Sequence, residues 1–451
     1  MKNFDLVKKE ISEAADRNAA YILEKAEDIL KTPELGYKEF RTSEYVRREF
    51  NSFGALEKAQ VAYTGVRGSI GDSSPDALNI CVMGELDAVV CPTHPFADKT
   101  TGAAHACGHN GQIAVMLGVM RILRECGLDR IRGVRFTFLA VPAEEMIDID
   151  YRRSLIAEGK IKYLSGKQQL IYEREFDNCD ICMMIHSQPG EETAASYIGG
   201  SSLGFVMKTI TFKGKAAHAG AAPYEGINAL NAAMLSMMNM HAARETFRDE
   251  DKVRIHPIIV KGGDAANIVP DNVIMENTVR AYNMSALADA DEKATLAVLG
   301  ACIATRASAT VVSTPGYLPL RQDKLLSERF YELSKQFIPQ SSLYMGRDMI
   351  GSSDIGDVGH LIPTIQPTMG GVTGSAHTNT FCLSDKTASL IIPAKILAQL
   401  CAELVYDDCR LAARVKSEFV PVYTREEYIA YLDGLFYTKK LNIPQVTIKD
   451  I

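Results

Sequence analysis

The sequence predicts an α/β protein with two domains, one of them inserted into the other. Three observations carry that expectation. At 451 residues the chain exceeds the length at which a single core keeps growing. Apolar runs at 66–70, 78–83, 134–141 and 181–185 have the unbroken hydrophobicity of strands covered on both faces. Helical patterns separate them, which is the alternation of a mostly parallel sheet.

Taken in order, residues 4–31 have one continuous amphipathic period, ended by Pro33 and Gly36, so a single helix is expected there. A second helical segment spans 40–53, and further helices are expected over 110–126 and 150–164. From about 192 the texture changes, with Gly199-Gly200-Ser201-Ser202 at the junction. Residues 206–212 alternate with period two, as a half-exposed strand does. A helix at 225–244, strands at 253–261 and 272–282, and a helix at 286–306 follow. That order predicts an α+β unit of ferredoxin-like type over 192–309. The catalytic α/β domain is then assigned to 1–191 and 310–451. Its second part holds a Gly-rich segment at 370–376, an apolar helix at 385–404 and an appended helical tail.

Composition narrows the function. Apolar residues at 47% and charged residues at 23% are ordinary for a soluble globular chain. A net charge of −7 gives no electrostatic footprint for nucleic acid or an anionic membrane, so neither is expected as a partner. Residues 1–5 show no apolar signal region, and no run long enough to read as a transmembrane helix stands out, which points to the cytoplasm. Ten scattered cysteines argue for reduced thiols, and Cys179-Asp-Ile-Cys182 reads as two buried strand-end cysteines.

The chemistry concentrates in loops after apolar strands. His105-Ala-Cys107-Gly-His109-Asn110 places a thiol and an imidazole two residues apart at a loop-to-helix junction. His186 ends the strand at 181–185, and His377 lies in the Gly-rich loop 370–379. Cys, His and Glu side chains converging from strand ends suit Zn²⁺ or a similar divalent ion. Glu144 and Glu145 follow another strand and point in different directions. One can bind metal while the other moves the proton of an attacking water, although such a pair also fits a helix start. Asp87 suits a carboxylate that orients a ligand imidazole. Asp354 and Asp357 form a third acidic loop that could support ligands or cap a helix. His218 reads equally as a donor toward substrate or as a turn histidine, and His105 and His360 could stand behind ligands.

Gly84-Glu-Leu-Asp-Ala88, His105-Ala-Cys-Gly-His-Asn110, Pro142-Ala-Glu-Glu145, Gly214-Lys-Ala-Ala-His218 and the segment 262–270 occur in the order of a known family. Through them the chain resembles the amidohydrolase branch of the M20 metallopeptidases, whose members cleave N-acyl amino acids and dipeptides. The resemblance implies two divalent metal ions per chain (Zn, Mn, Co or Ni), held by Cys107, His109, Glu145, His186 and His377. It makes Glu144 the general base and the inserted segment a lid through which the chain forms a homodimer. His218 would then stabilise an oxyanion in the partner subunit's site, and Asn267 and Arg280 would hold the substrate carboxylate. The chain departs from the family at Glu85, where relatives carry Asp, and in the 89–102 loop. A metal-free amidase using Cys107 leaves Glu144, Glu145, His186 and His377 without a role. A non-catalytic binding protein on the same fold leaves the complete ligand set unexplained.

Overall fold

The computed structural model describes residues 3–188, 196–349 and 351–441. The chain divides into two compact units. One comprises Met1–Ser201, Arg321–Asp348 and Asp354–Arg425; the other comprises Ser202–Leu320, Met349–Ser353 and Glu426–Ile451. The junction expected at 191/192 lies outside the described residues.

The first unit is built on strands β1 (Leu56–Val61), β2 (Gly65–Gly71), β3 (Leu78–Glu85), β4 (Val134–Val141) and β5 (Ile181–Met183), with a last short strand at Thr364–Ile365. Their order across the sheet is β1-β2-β4-β3-β5 and then that short strand. From β4 onward neighbours run parallel, while β1 and β2 pair antiparallel at the edge. β3 and β4 are buried along almost their whole length, which is why they read as unbroken apolar runs. Helix α2 (His109–Glu125) covers β3 and β4, and helix α1 (Ala19–Leu30) packs on α2, where Gly118 lets Ile22 approach to 2.6 Å of where a Cβ would stand.

The expected helix over 4–31 is broken in two. Asn18, at φ −92° and ψ 1°, separates Phe4–Arg17 from α1. Its amide donates to the carbonyl of Ala14 and to Glu125, a case of an Asn side chain competing with the helix backbone. The helix expected over 150–164 spans only Ile149–Ala157, because Gly159 turns left-handed at φ +69°. The apolar helix near 385–404 starts with a π turn at Thr387–Ile391, and after a break at Tyr406–Cys409, where Asp407, Asp408 and Cys409 are left-handed, a further helical stretch ends at Glu418. Thr387–Glu418 as a whole is long and apolar enough to cross a membrane, yet 83% of its most apolar window is buried inside this unit. Cys179 and Cys182 are buried beside Cys81, and all three thiols are free.

The second unit has the expected ferredoxin-like order. β6 (Gly204–Lys213), helix α3 (Ala229–Ala242), β7 (Arg254–Lys261), β8 (Asn272–Ala281), helix α4 (Met284–Thr305) and β9 (Ser308–Pro315) form an antiparallel sheet ordered β7-β8-β6-β9. Asn228 and Asn283 cap the two helices, each accepting backbone N–H bonds at the first turn. One assignment is corrected here. The segment after 310 was expected to lie wholly in the catalytic domain, but β9 continues to Pro315, and the tail returns to it. Strand β10 (Tyr437–Leu441) pairs antiparallel with β9, so Glu426 onward belongs to the second unit. Lys208 is fully buried in this sheet, where its ammonium is held by Asp291 and by the hydroxyl of Tyr437. The tail strand thereby gains a polar anchor besides its pairing with β9.

Candidate metal centre

The first unit brings Cys107, His109, Glu145, His186 and His377 together from four loops. Ligand atoms of Cys107, His109 and His186 lie within 4.8 Å of one another, and so do those of Cys107, Glu145 and His377. The Cys107 thiol belongs to both groups. A thiol shared in this way would belong to both ligand sets of a metal pair, each with two further protein side chains.

Each ligand is aimed by its local backbone. Gly108 links the first two at φ +89°, and a Cβ there would lie 2.1 Å from the Ser187 Oγ. Only glycine fits such a conformation and such an approach. α2 starts at His109, so the partial positive charge of its N-terminus faces the thiol. At the end of β4, Ala143 adopts φ +54°, which turns Glu144 and Glu145 apart. Two buried groups hold that strained turn. The Ala143 N–H donates to Glu39 at 2.8 Å, and the guanidinium of Arg152 donates to the carbonyls of Ala143, Leu164 and Glu145. His377 is itself left-handed at φ +62°, and its N–H donates to the Ala106 carbonyl at 2.8 Å. The two ligand loops are thus tied together through the backbone.

His109 shows what the centre is built to hold. Its Nδ1 lies 2.8 Å from the carbonyl of Asp87 and 3.3 Å from the Asp87 carboxylate, so Nδ1 carries the proton. The lone pair of Nε2 therefore faces Glu85 Oε2 across 3.1 Å, fully buried and with no hydrogen bond formed. Two acceptors face each other this closely only with a proton or a cation between them. Consistent with that, His109 is pushed well above the ordinary imidazole range: burial opposes the charge, but the Cys107 thiol and the carboxylates of Glu85 and Asp87 outweigh it. The same negative surroundings fit a divalent cation, whose binding displaces such a proton.

The other groups divide by role. Burial, reinforced by Glu145, pushes the Cys107 thiol up, so a cation must compensate its ionisation. Burial also lowers His186, which keeps it a neutral donor, and its Nε2 stands 3.6 Å from the Cys107 sulfur. Glu145 is held below the usual carboxylate range despite its burial, through its bond with His377 at 3.0 Å and the charge of His109. Glu144 goes the other way. Burial and the charges of Glu85, Glu145 and Asp354 raise it well above that range, as suits a group that must take up a proton. Asp87 accepts the Glu145 N–H at 2.9 Å as well as facing His109, so it positions two ligands at once.

Three residues that the sequence reading did not place in the site belong behind it. Lys167 is completely buried and bonds Glu85 at 2.6 Å, Asp354 at 2.5 Å, and no solvent. Gln112 donates to the same Glu85 at 2.9 Å. Glu85 is therefore fixed with one oxygen toward His109, and it forms a further metal-capable group with His109 and Glu144. Asp354, left undecided between support and capping, supports: it accepts from Ser165, from the Lys167 N–H and from the Lys167 ammonium. Glu85 stood out in the sequence as a departure from Asp. A lone lysine at a helix start gave no signal.

The remaining candidates lie in the second unit. His218 is exposed in a loop, where its Nδ1 accepts the N–H groups of Gly220 and Ala221 at 3.1 Å. The Asn267 carbonyl accepts from the adjoining Ala219, so these two loops are neighbours. Arg280, on β8, donates to Ser352 at 2.6 Å and lies over the ring of Phe205.

Several known proteins are similar to this chain. Residues 201–299 match the model of a peptidase dimerisation domain. The Xaa-Arg dipeptidase of Mus musculus is 26% identical over 437 residues, covering 92% of each chain. The N-acyl-L-amino acid amidohydrolase of Geobacillus stearothermophilus is 25% identical, covering 62% of this chain and 71% of its own length. A Bacillus subtilis structure described as a dinuclear metal-binding peptidase of the M20 family superposes with a TM-score of 0.67 at 20% identity, covering 86% of this chain and 99% of the other.

Proposed function

We propose that this chain, which belongs to the M20 metallopeptidase family, is a metal-dependent hydrolase of the amide bond in N-acyl or N-aminoacyl amino acids. The observation that carries the reading is the Cys107 thiol shared by two groups of metal-capable side chains, with Glu144 buried beside them. Cys107, His109 and His186 would hold one divalent ion, and Cys107, Glu145 and His377 the other, with Zn²⁺ the ion that thiolate and imidazole donors favour. When bound, the metal pair supplies Lewis-acid polarisation of the amide carbonyl and eases deprotonation of water near neutral pH.

The chain's own residues do the rest. Glu144 takes a proton from the attacking water as its oxygen bonds to the carbonyl carbon. It returns that proton to the amide nitrogen as the C–N bond breaks, so one water yields an acid and an amine. Asp87 keeps His109 in the tautomer with Nε2 free and anchors the Glu145 backbone, fixing both ligands during turnover. His218 acts as an oxyanion donor and Asn267 and Arg280 hold the substrate carboxylate, as the resemblance implies; a guanidinium suits that task by its forked geometry. The dipeptidase and acylase relatives support a substrate with a free α-carboxylate.

A homodimer fits the second unit. β7 is an edge strand exposing Ile258 and Val260, and α3 exposes Met234 and Met238. Both features favour association with a second copy. A nucleophilic role for Cys107 is disfavoured, since burial raises its thiol where an attacking cysteine needs a lowered one.

The test is turnover on a panel of N-acetyl and N-benzoyl amino acids, aminobenzoyl-glutamate and Xaa-Arg dipeptides, for wild type and Glu144→Ala, with and without chelator. Turnover that chelation removes, and that Glu144→Ala removes while retaining metal, supports the proposal. Chelator-resistant turnover overturns it.

A further inference from the structure

Cys179 and Cys182 take no part in the chemistry above, and the first unit brings a third thiol to them. Cys81 of β3 and Cys182 of β5 are direct partners in the parallel pairing of those strands, and Cys179 lies just ahead of β5. The three sulfurs lie within 4.8 Å of one another. Cys81 and Cys182 are fully buried, and Cys179, at 8% exposed, is the point of the cluster nearest to solvent.

Buried cysteines often pack simply as small apolar residues, so the surroundings decide what these three do. Ile80 and Val82 face the main apolar core, and the alternation along β3 turns Asn79 and Cys81 to the other face of the sheet. There the partner of Cys81 on β4 is Thr137, whose hydroxyl donates to Asn79 at 2.9 Å. Asn79 in turn directs an amide N–H at the Cys179 sulfur from 4.0 Å. The Glu175 carbonyl accepts from the Cys179 thiol at 3.8 Å and also from Arg67, so it keeps a donor when the thiol loses its proton. Arg67 is 4% exposed. It pairs with Glu57 and Glu175, Arg135 pairs with Glu57 and Lys58 with Glu175, so three cations share two carboxylates and one positive charge remains. Hydrogen bonds from the Cys182 and Cys81 thiols, and then the Arg67 guanidinium, hold Cys179 well below the ordinary thiol range. Thiols packed only for their volume need neither these donors nor that charge.

From this clustering we infer a metal site separate from the Cys107 centre, for one Cu⁺ ion held by Cys81, Cys179 and Cys182. Thiolates select Cu⁺, Zn²⁺ or iron–sulfur clusters. Zinc and the clusters ask for four protein ligands, and among the described residues no histidine or carboxylate joins the three sulfurs. Cu⁺ is satisfied by three sulfurs in one plane. Metal–thiolate bonds of about 2.3 Å put coplanar sulfurs about 4 Å apart, inside the spacing found here. With two of the thiols ionised the occupied site carries one negative charge, which the charge left on the Arg67 network balances. Binding thus releases two protons and clamps β3 to β5.

The test uses the full-length chain, reduced, anaerobic and zinc-loaded so that the Cys107 centre is filled, and titrated with Cu⁺ against the chromophoric chelator bicinchoninate. Wild type and Cys107→Ala should each retain one Cu⁺, and Cys179→Ser and Cys182→Ser none, with circular dichroism as the check on folding. Copper-edge X-ray absorption of the wild type, which needs no variant, should show three sulfur neighbours and no nitrogen. No retained Cu⁺, equal retention by Cys179→Ser, or nitrogen bound to the copper would each overturn the inference. So would a third zinc ion in wild type that Cys179→Ser loses, because zinc would then be the ion of the cluster. No turnover is measured, so a failed hydrolase reading leaves this test intact.

Discussion

Replacing Gly108 by alanine probes how the centre is assembled, because this residue joins two ligands and touches a third loop. At φ +89° an alanine is strained by about 1–2 kcal/mol. Its Cβ would also stand 2.1 Å from Ser187 Oγ, 3.0 Å from Ser187 Cβ and 3.2 Å from Phe381 Cζ. Rotating Ser187 relieves the first contact but not the second, so overpacking adds about 1–3 kcal/mol. The loop can escape by moving, at the expense of the spacing between Cys107 and His109. Metal binding must then restore the strained form, and the combined cost of about 2–5 kcal/mol appears as affinity weakened roughly thirtyfold or more. Competition with a chromophoric zinc chelator measures this, with circular dichroism as the check on folding. Gly108→Ala that binds zinc within twofold of wild type would refute the reasoning.

Three further outcomes follow from the buried charges. Lys167→Met leaves Glu85 and Asp354 buried without their cation, which costs about 3–5 kcal/mol, and should lower the thermal unfolding midpoint in a calorimetric scan; an unchanged midpoint contradicts the network. Glu39 is raised from 4.5 to about 8 by burial and by the charge of Asp87. The folded chain therefore keeps a proton that the unfolded chain releases between those values, and stability falls by about 1.4 kcal/mol per pH unit across that window. Glu39→Gln removes this slope, so its stability relative to wild type should rise from pH 4.5 to 8 and then level off; parallel profiles would contradict it. Arg152→Met frees the Ala143 and Glu145 carbonyls and should lower turnover more than it lowers zinc content, measured on the same samples.

Much of the site was legible in the sequence because its chemistry is local. Cys-Gly-His at a helix start suggests its role through residue type and spacing, whereas Glu144 and Glu145 took theirs from the resemblance, and the two segments meet in one cluster. The parallel core was legible for a similar reason, since β3 and β4 are buried on both faces and leave an unbroken apolar run. What escaped depends on contacts between distant segments. Lys167 meets Glu85 across 82 residues and Asp354 across 187, and no periodicity records that. The break at Asn18 escaped because the apolar period runs through it, while the side chain that breaks the helix is satisfied by Glu125, far along the chain. The tail was misassigned because five residues at 437–441 carry no sign of the edge they complete. β9 supplies that edge.

The central claim is that one thiolate serves two metal positions. Metal content per chain, measured after zinc loading under reducing conditions, tests it most directly in wild type, His186→Ala, His377→Ala and Cys107→Ala. The account predicts two ions in wild type, about one in each histidine variant, and none retained by Cys107→Ala. Two ions held by Cys107→Ala would contradict it.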